Sequence, residues 1–206
     1  MIPAYWHQAC AALASRDTEL ARIIGRYGGS TALKSRGDAF ATLARSIVGQ
    51  QISVKASESA WQRVLAALPD LCPHAVAGVN ADILRSCGLS QRKVEYIQDL
   101  ARHFLAGRLR VEHWPEMGDE EVICELCDVR GIGRWTAEMF LIFNLQRPDI
   151  FPVDDIGLQR AISVHYNAGQ TLGAAAMRAI AKRWQPWRTV ATWYLWRSLD
   201  PEPVEY

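Results

Sequence analysis

Two adjacent carboxylates, Asp154 and Asp155, stand just before a helical run in the stretch FPVDDIGLQRAI, residues 151–162. A carboxylate at the start of a helix meets unpaired main-chain N–H groups and the positive end of the helix dipole. An anion held there can stabilise, by electrostatics alone, a positive charge that develops on a bound substrate. The pair also reads as two helix-capping acids with no chemistry. Residue types and spacing leave both readings open, and they do not choose between Asp154 and Asp155.

The second chemical feature belongs to the backbone. In VRGIGRWTA, residues 129–137, two glycines flank one isoleucine between two helical runs, 119–127 and 134–145. Helices joined by so few residues call for positive φ, which glycine adopts without steric cost. Such a turn leaves the amides around Ile132, Gly133 and Arg134 bare at a helix N-terminus, where a phosphate binds well. Without a ligand, the same turn is only a helix–turn–helix corner. Arg130, Arg134, Arg92 and Lys93 lie near helix starts or turns as candidate phosphate contacts, and each also reads as a solvated surface charge. Gln50 and Gln51 end another helical run and by themselves read as a solvated turn.

The elements that must hold these residues are helices. Phe40, Leu43, Ala44, Ile47 and Val48 repeat with the period of a buried helix face, as do Val54, Ser57, Trp61, Val64 and Leu65. Val94, Ile97, Leu100, Ala101 and Phe104 mark a helix over 90–106, with Ser90 as N-cap and Gly107 as stop. Further helices fit 5–14, 17–27, 155–166, 171–184 and 187–199, and no sustained alternation or hairpin signal appears. The expected fold is all-α, in two helical lobes: a middle bundle over 36–118, and a lobe from both termini, 1–35 plus 119–206, which carries the 119–145 helix–hairpin–helix. A ligand site belongs in the cleft between such lobes. The segments 68–80 and 107–118 read as seams.

Composition narrows the class. A formal net charge of +1 excludes a strongly basic coat but leaves room for a local phosphate-binding patch. Five cysteines without scaffold spacing point to free thiols in a reducing compartment, and Cys124–Cys127 lacks the second pair that a zinc site needs. No signal peptide and no membrane-spanning apolar run is present, so a cytoplasmic protein with no membrane partner is expected. Tryptophan is over-used, eight in 206 residues; core filling accounts for most, and one or two suit a stacking surface.

Taken together, FATLARSIVGQQIS (40–53), GLSQRKVEYIQDLA (88–101), VRGIGRWTA, FPVDDIGLQRAI and WQPWRTVATWYLW (184–196) resemble, in order, the helix–hairpin–helix DNA glycosylases of the DNA-3-methyladenine glycosylase II type. The chain looks like the compact form without that type's N-terminal β-rich domain. The resemblance implies hydrolysis of the N-glycosidic bond of alkylated purines in damaged double-stranded DNA, through an oxocarbenium-like state and base flipping. It makes Asp155 catalytic, with Asp154 as helix cap or support. It makes Gly131, Ile132, Gly133, Arg134 and Thr136 the DNA-binding hairpin, with Arg130 and Lys93 beside it.

Bifunctional relatives carry a Schiff-base lysine two residues after the second hairpin glycine; here that residue is Trp135, which implies a monofunctional enzyme. The endonuclease III branch ends in a four-cysteine loop, but no cysteine follows Cys127, so no iron–sulfur cluster is expected. By family position Trp135 and Trp187 wall the base pocket, and Met139 replaces an aromatic wall. An electron-rich indole suits a cationic alkylated base. The loop of Gln50 and Gln51 is expected to enter the minor groove, one of them meeting the orphaned partner base. A monovalent cation is expected at the main-chain carbonyls of Cys127, Val129 and Ile132, with no other cofactor, and the protein is expected to act as a monomer. A non-catalytic DNA-binding module is the alternative, and a bifunctional lyase is disfavoured by Trp135.

Overall fold

Asp38 caps the first helix of the middle segment: its carboxylate accepts the Ala41 N–H at 2.7 Å. That helix, α3 (Ala39–Gly49), buries Phe40, Leu43, Ala44, Ile47 and Val48, the stripe legible in the sequence. The computed structural model describes residues 2–28, 33 and 37–199. Before α3 lie α1 (Trp6–Arg16) and α2 (Thr18–Tyr27); the domain limit expected at 35/36 lies outside the described residues. After it come α4 (Val54–Ala67), α5 (Pro73–Gly78), α6 (Ala81–Ser86) and α7 (Gln91–Leu105). The remaining helices are α8 (Asp119–Cys127), α9 (Arg134–Phe143), α10 (Ile156–Tyr166), α11 (Ala174–Ala181) and α12 (Arg188–Leu199), with a 3₁₀ turn at Lys182–Trp184. No strand occurs among the described residues, so the all-α expectation holds. The seam expected at 68–80 contains α5 and ends on Asn80, the N-cap of α6. Each has six residues, capped by Cys72 and Asn80, too short to show a helical period.

The chain forms two compact units. One combines Met1–Ser35 with Leu141–Glu205, and α12 is its central helix. Thr189 to Leu195 are buried without interruption, so α12 has no solvent face. Helices α1, α2 and α10 pack on it. One buried charge of this unit, Asp17, is well satisfied: its carboxylate accepts the Glu19 and Leu20 amides, the Tyr166 hydroxyl and the Trp184 indole N–H.

The other unit is Arg36–Phe140, where α3 packs on α4 and α7. Segment 119–140 groups with this unit rather than with the lobe of the termini, a correction to the sequence reading. The reason is packing: Trp114 is fully buried, meets Phe140 edge-on at 5.4 Å, and donates its indole N–H to Glu125 of α8 at 2.8 Å. Of the eight tryptophans, Trp6, Trp61, Trp114, Trp184 and Trp193 are core, which leaves Trp135, Trp187 and Trp196 to consider for other work.

Candidate active site

Asp155 lies in the first unit and is 6 % exposed. Its Oδ1 accepts the Leu158 N–H at 2.7 Å, so Asp155 itself is the N-cap of α10. Asp154, expected as cap or support, is exposed in the preceding turn and caps nothing; the helix simply starts one residue later than that role requires. The main chain before Asp155 is anchored by α12. Thr189 Oγ1 accepts the Ile150 N–H at 2.9 Å and donates to Arg147 O at 2.6 Å. The Arg188 guanidinium pairs with the Asp149 carboxylate at 2.8 Å. The indole N–H of Trp196, two turns further along α12, donates to Asp155 Oδ1 at 2.8 Å. Sequence reasoning passed over Trp196 because it sits in a tryptophan-rich helix, 41 residues from its partner.

In the second unit, the hairpin turn uses its two glycines differently. Gly131 has φ +87°, and a Cβ there would fall on the Tyr96 ring, so glycine is required both by backbone and by space. Gly133 is outside the positive-φ region and a Cβ there would meet open space, so the fold does not explain it. Ile132, expected to offer a bare amide, donates it to Val129 O at 3.1 Å and buries its side chain; the unused amides begin at Gly133 and Arg134. Thr136 is buried too. The Val129 carbonyl, one of three expected to hold a cation, is therefore already an acceptor, with one lone pair left. Among the described residues no cluster of three or more His, Cys, Asp or Glu could hold a metal.

Three contacts brace this turn. The Arg130 N–H donates to Asp99 Oδ2 at 3.0 Å, the Tyr96 ring lies against Gly131, and the Gln50 amide donates to Gly131 O at 2.8 Å. Gln50 is thus committed to the hairpin. Gln51 is exposed and holds φ +59°, a left-handed conformation that a non-glycine residue adopts at a cost of about 1–2 kcal/mol. The cations expected at phosphates have protein partners instead. Arg134 pairs with Glu120 and Glu138, Arg130 with Glu95 at 3.4 Å, and the Lys93 ammonium donates to Val48 O at 2.7 Å, at the C-terminus of α3. Burial lowers the Lys93 pKa. Only Arg92 is simply exposed. Trp135 is 37 % exposed at the start of α9, and Met139 is buried one turn on. Trp187, in the first unit, is half-buried and stacks on Tyr5 with ring centroids 5.7 Å apart.

Residues 43–187 match the family model described as HhH-GPD superfamily base excision DNA repair protein. The chain belongs to this superfamily. Among its HhH-GPD relatives is the putative DNA-3-methyladenine glycosylase YfjP of Bacillus subtilis, 32 % identical over 191 residues, 89 % of this chain and 66 % of the relative. The chain therefore spans about two thirds of that relative's length. A crystal structure of a DNA-3-methyladenine glycosidase from Bacillus halodurans superposes with a TM-score of 0.86 at 34 % identity, covering 93 % of this chain and 89 % of the other. Mag1, the 3-methyladenine DNA glycosylase of Schizosaccharomyces pombe solved in complex with abasic DNA, superposes with a TM-score of 0.81 at 26 % identity, covering 93 % and 96 %. These HhH-GPD relatives are of the alkylation-repair type that the sequence motifs resemble. No helix among the described residues is long and apolar enough to cross a membrane.

Proposed function

We propose that this chain is a monofunctional DNA glycosylase that removes alkylated purines of the 3-methyladenine and 7-methylguanine class from duplex DNA. The observation that carries the reading is the buried Asp155 carboxylate, fixed at the N-terminus of α10 and bonded from α12. As the N-glycosidic bond breaks, its electron pair leaves with the purine and positive charge develops on the sugar. Asp155 stabilises that charge. Water adds to C1′ and gives up a proton, leaving an abasic site and an intact backbone. An alkylated purine already carries positive charge, so it leaves readily and modest catalysis suffices. Trp135 provides the half-exposed indole face for such a cation, in the place where a lyase would keep its amine. Trp187 and Met139 complete the base contacts that the family positions assign.

The hairpin contacts a DNA phosphate through the amides of Gly133 and Arg134, where the missing Cβ of Gly133 permits close approach. A monovalent cation at the carbonyls of Cys127, Val129 and Ile132 would add positive charge beside that phosphate. Gln51 is the residue inserted into the duplex. Its strained backbone and exposure favour it over Gln50, whose amide is already bonded. The protein acts as a monomer in the cytoplasm.

The test is incubation with methylated duplex DNA, scoring released bases and strand breaks separately. Released 3-methyladenine or 7-methylguanine, with breaks only after alkali, is expected. Asn caps a helix about as well as Asp, so Asp155→Asn should fold and bind DNA yet cleave orders of magnitude more slowly. Duplex binding with no base released from any methylated lesion would make the chain a non-catalytic binding module.

A further inference from the structure

The geometry points to Trp196 as the positioning residue for the Asp155 carboxylate. This role rests on the assignment of Asp155 as the catalytic group. The indole N–H of Trp196 and the main-chain N–H of Leu158 converge on one oxygen, Oδ1, at 2.8 and 2.7 Å. Two donors from different helices, α12 and α10, fix both the position of that oxygen and the plane of the carboxylate. A single N-cap bond leaves the group able to swing about its side-chain torsions.

The indole is itself held in place. It stacks on Phe143 with centroids 6.0 Å apart and an interplanar angle of 10°, and Trp193 meets the same Phe143 edge-on at 6.4 Å. Space for the pair comes from Gly157. A Cβ there would stand 3.2 Å from Asp155 Oδ1 and 3.3–3.4 Å from Cδ1 and Nε1 of Trp196. Those distances are tighter than ordinary van der Waals contact, at the hydrogen bond itself. Gly157 has no positive φ to explain it, and glycine inside a helix costs stability relative to alanine. The close approach of Trp196 to Asp155 leaves little room for a side chain at this position. A half-buried tryptophan serving only as packing would need neither the bond nor the glycine.

Oriented, charge-assisted donors matter to electrostatic catalysis because a carboxylate placed beforehand needs no reorganisation as charge develops. Trp196→Phe keeps the ring on Phe143 and removes only the donor. Its single-turnover cleavage rate at saturating enzyme should fall on the order of tenfold to a hundredfold, the scale of one lost hydrogen bond to a charged group. Its affinity for abasic duplex DNA should match the wild type, and its melting temperature should fall by no more than the one lost bond and the smaller ring account for. Gly157→Ala provides an independent variant: its Cβ presses on the Asp155–Trp196 pair, so cleavage should slow while affinity for abasic duplex DNA is kept. In an Asp155→Asn background, Trp196→Phe should cause no further loss. A wild-type rate for Trp196→Phe, or the same fractional loss with and without Asp155, overturns the positioning role. A wild-type rate for Asp155→Asn alone overturns the assignment of Asp155 and this role with it. A slow Asp155→Asn beside a wild-type Trp196→Phe overturns the positioning role only.

Discussion

At the scale of single residues, the hairpin's cations are occupied by the protein's own acids. Arg134 is forked onto the exposed Glu120 and also meets the buried Glu138, and the Arg134 hydrogen bond holds the Glu120 carboxyl below its usual range. An exposed pair of this kind contributes little to stability, about 0–1 kcal/mol. Glu120 nevertheless occupies the guanidinium edge that a DNA phosphate would use. Glu120→Gln should therefore leave the fold intact and tighten duplex binding a few-fold, most clearly at low salt, where phosphate contacts weigh most. Fluorescence anisotropy with a labelled duplex reads this, and unchanged or weaker affinity would exclude Arg134 as a phosphate contact. The same scale explains why the sequence left Asp154 and Asp155 undivided. Both are acids before a helix, and the choice depends on a one-residue difference in where α10 starts and on a bond from Trp196, 41 positions away.

At the scale of elements, the α8–α9 turn separates two kinds of glycine that look alike in VRGIGRWTA. Gly131→Ala forces a left-handed residue and drives a methyl into the Tyr96 ring, so it should destabilise the protein by at least about 1–2 kcal/mol. Gly133→Ala meets no atom and no backbone strain; it should leave the melting temperature unchanged while weakening duplex binding, because its Cβ would shield the amides proposed to hold the phosphate. Loss of stability in the second variant with binding retained would remove the hairpin amides from the interface. Most elements were legible for a physical reason: α3, α4 and α7 each run long enough for apolar stripes to repeat, and Asp17, Asp38, Ser53 and Ser90 cap as their types suggest. What stayed hidden is what joins elements. The pairing of Gln50 with Gly131 and of Asp99 with the Arg130 amide spans 81 and 31 positions, and no local period records such bonds. The grouping of 119–140 with the middle unit was missed for the same reason.

At the scale of the molecule, the unit built from both termini is held by long-range contacts through α12, and one of them titrates. The His165 ring joins three helices: Arg22 of α2 donates to Nδ1 at 3.2 Å, and Nε2–H donates to Ser198 Oγ of α12 at 2.7 Å, a tautomer that these partners dictate. Burial, and next the Arg22 charge, push its pKa below the ordinary 6.5, against a smaller opposing pull from Glu19. The unfolded chain therefore takes up this proton first, so the contribution to stability is complete above about 6.5 and erodes as pH falls below it. The melting temperature should drop between pH 7.5 and pH 5.5 by more in the wild type than in His165→Gln; equal drops would assign the acid sensitivity elsewhere. Helix α12 also carries a consequence for how the protein can be shortened. The family-matched segment ends at residue 187, one residue before α12 begins. A chain trimmed to that segment would keep Asp155 and the whole hairpin. It would lose Arg188 and Thr189, which anchor the approach to Asp155, and Trp196, which fixes its carboxylate. The stretch that identifies the family is therefore shorter than the stretch that organises its acid.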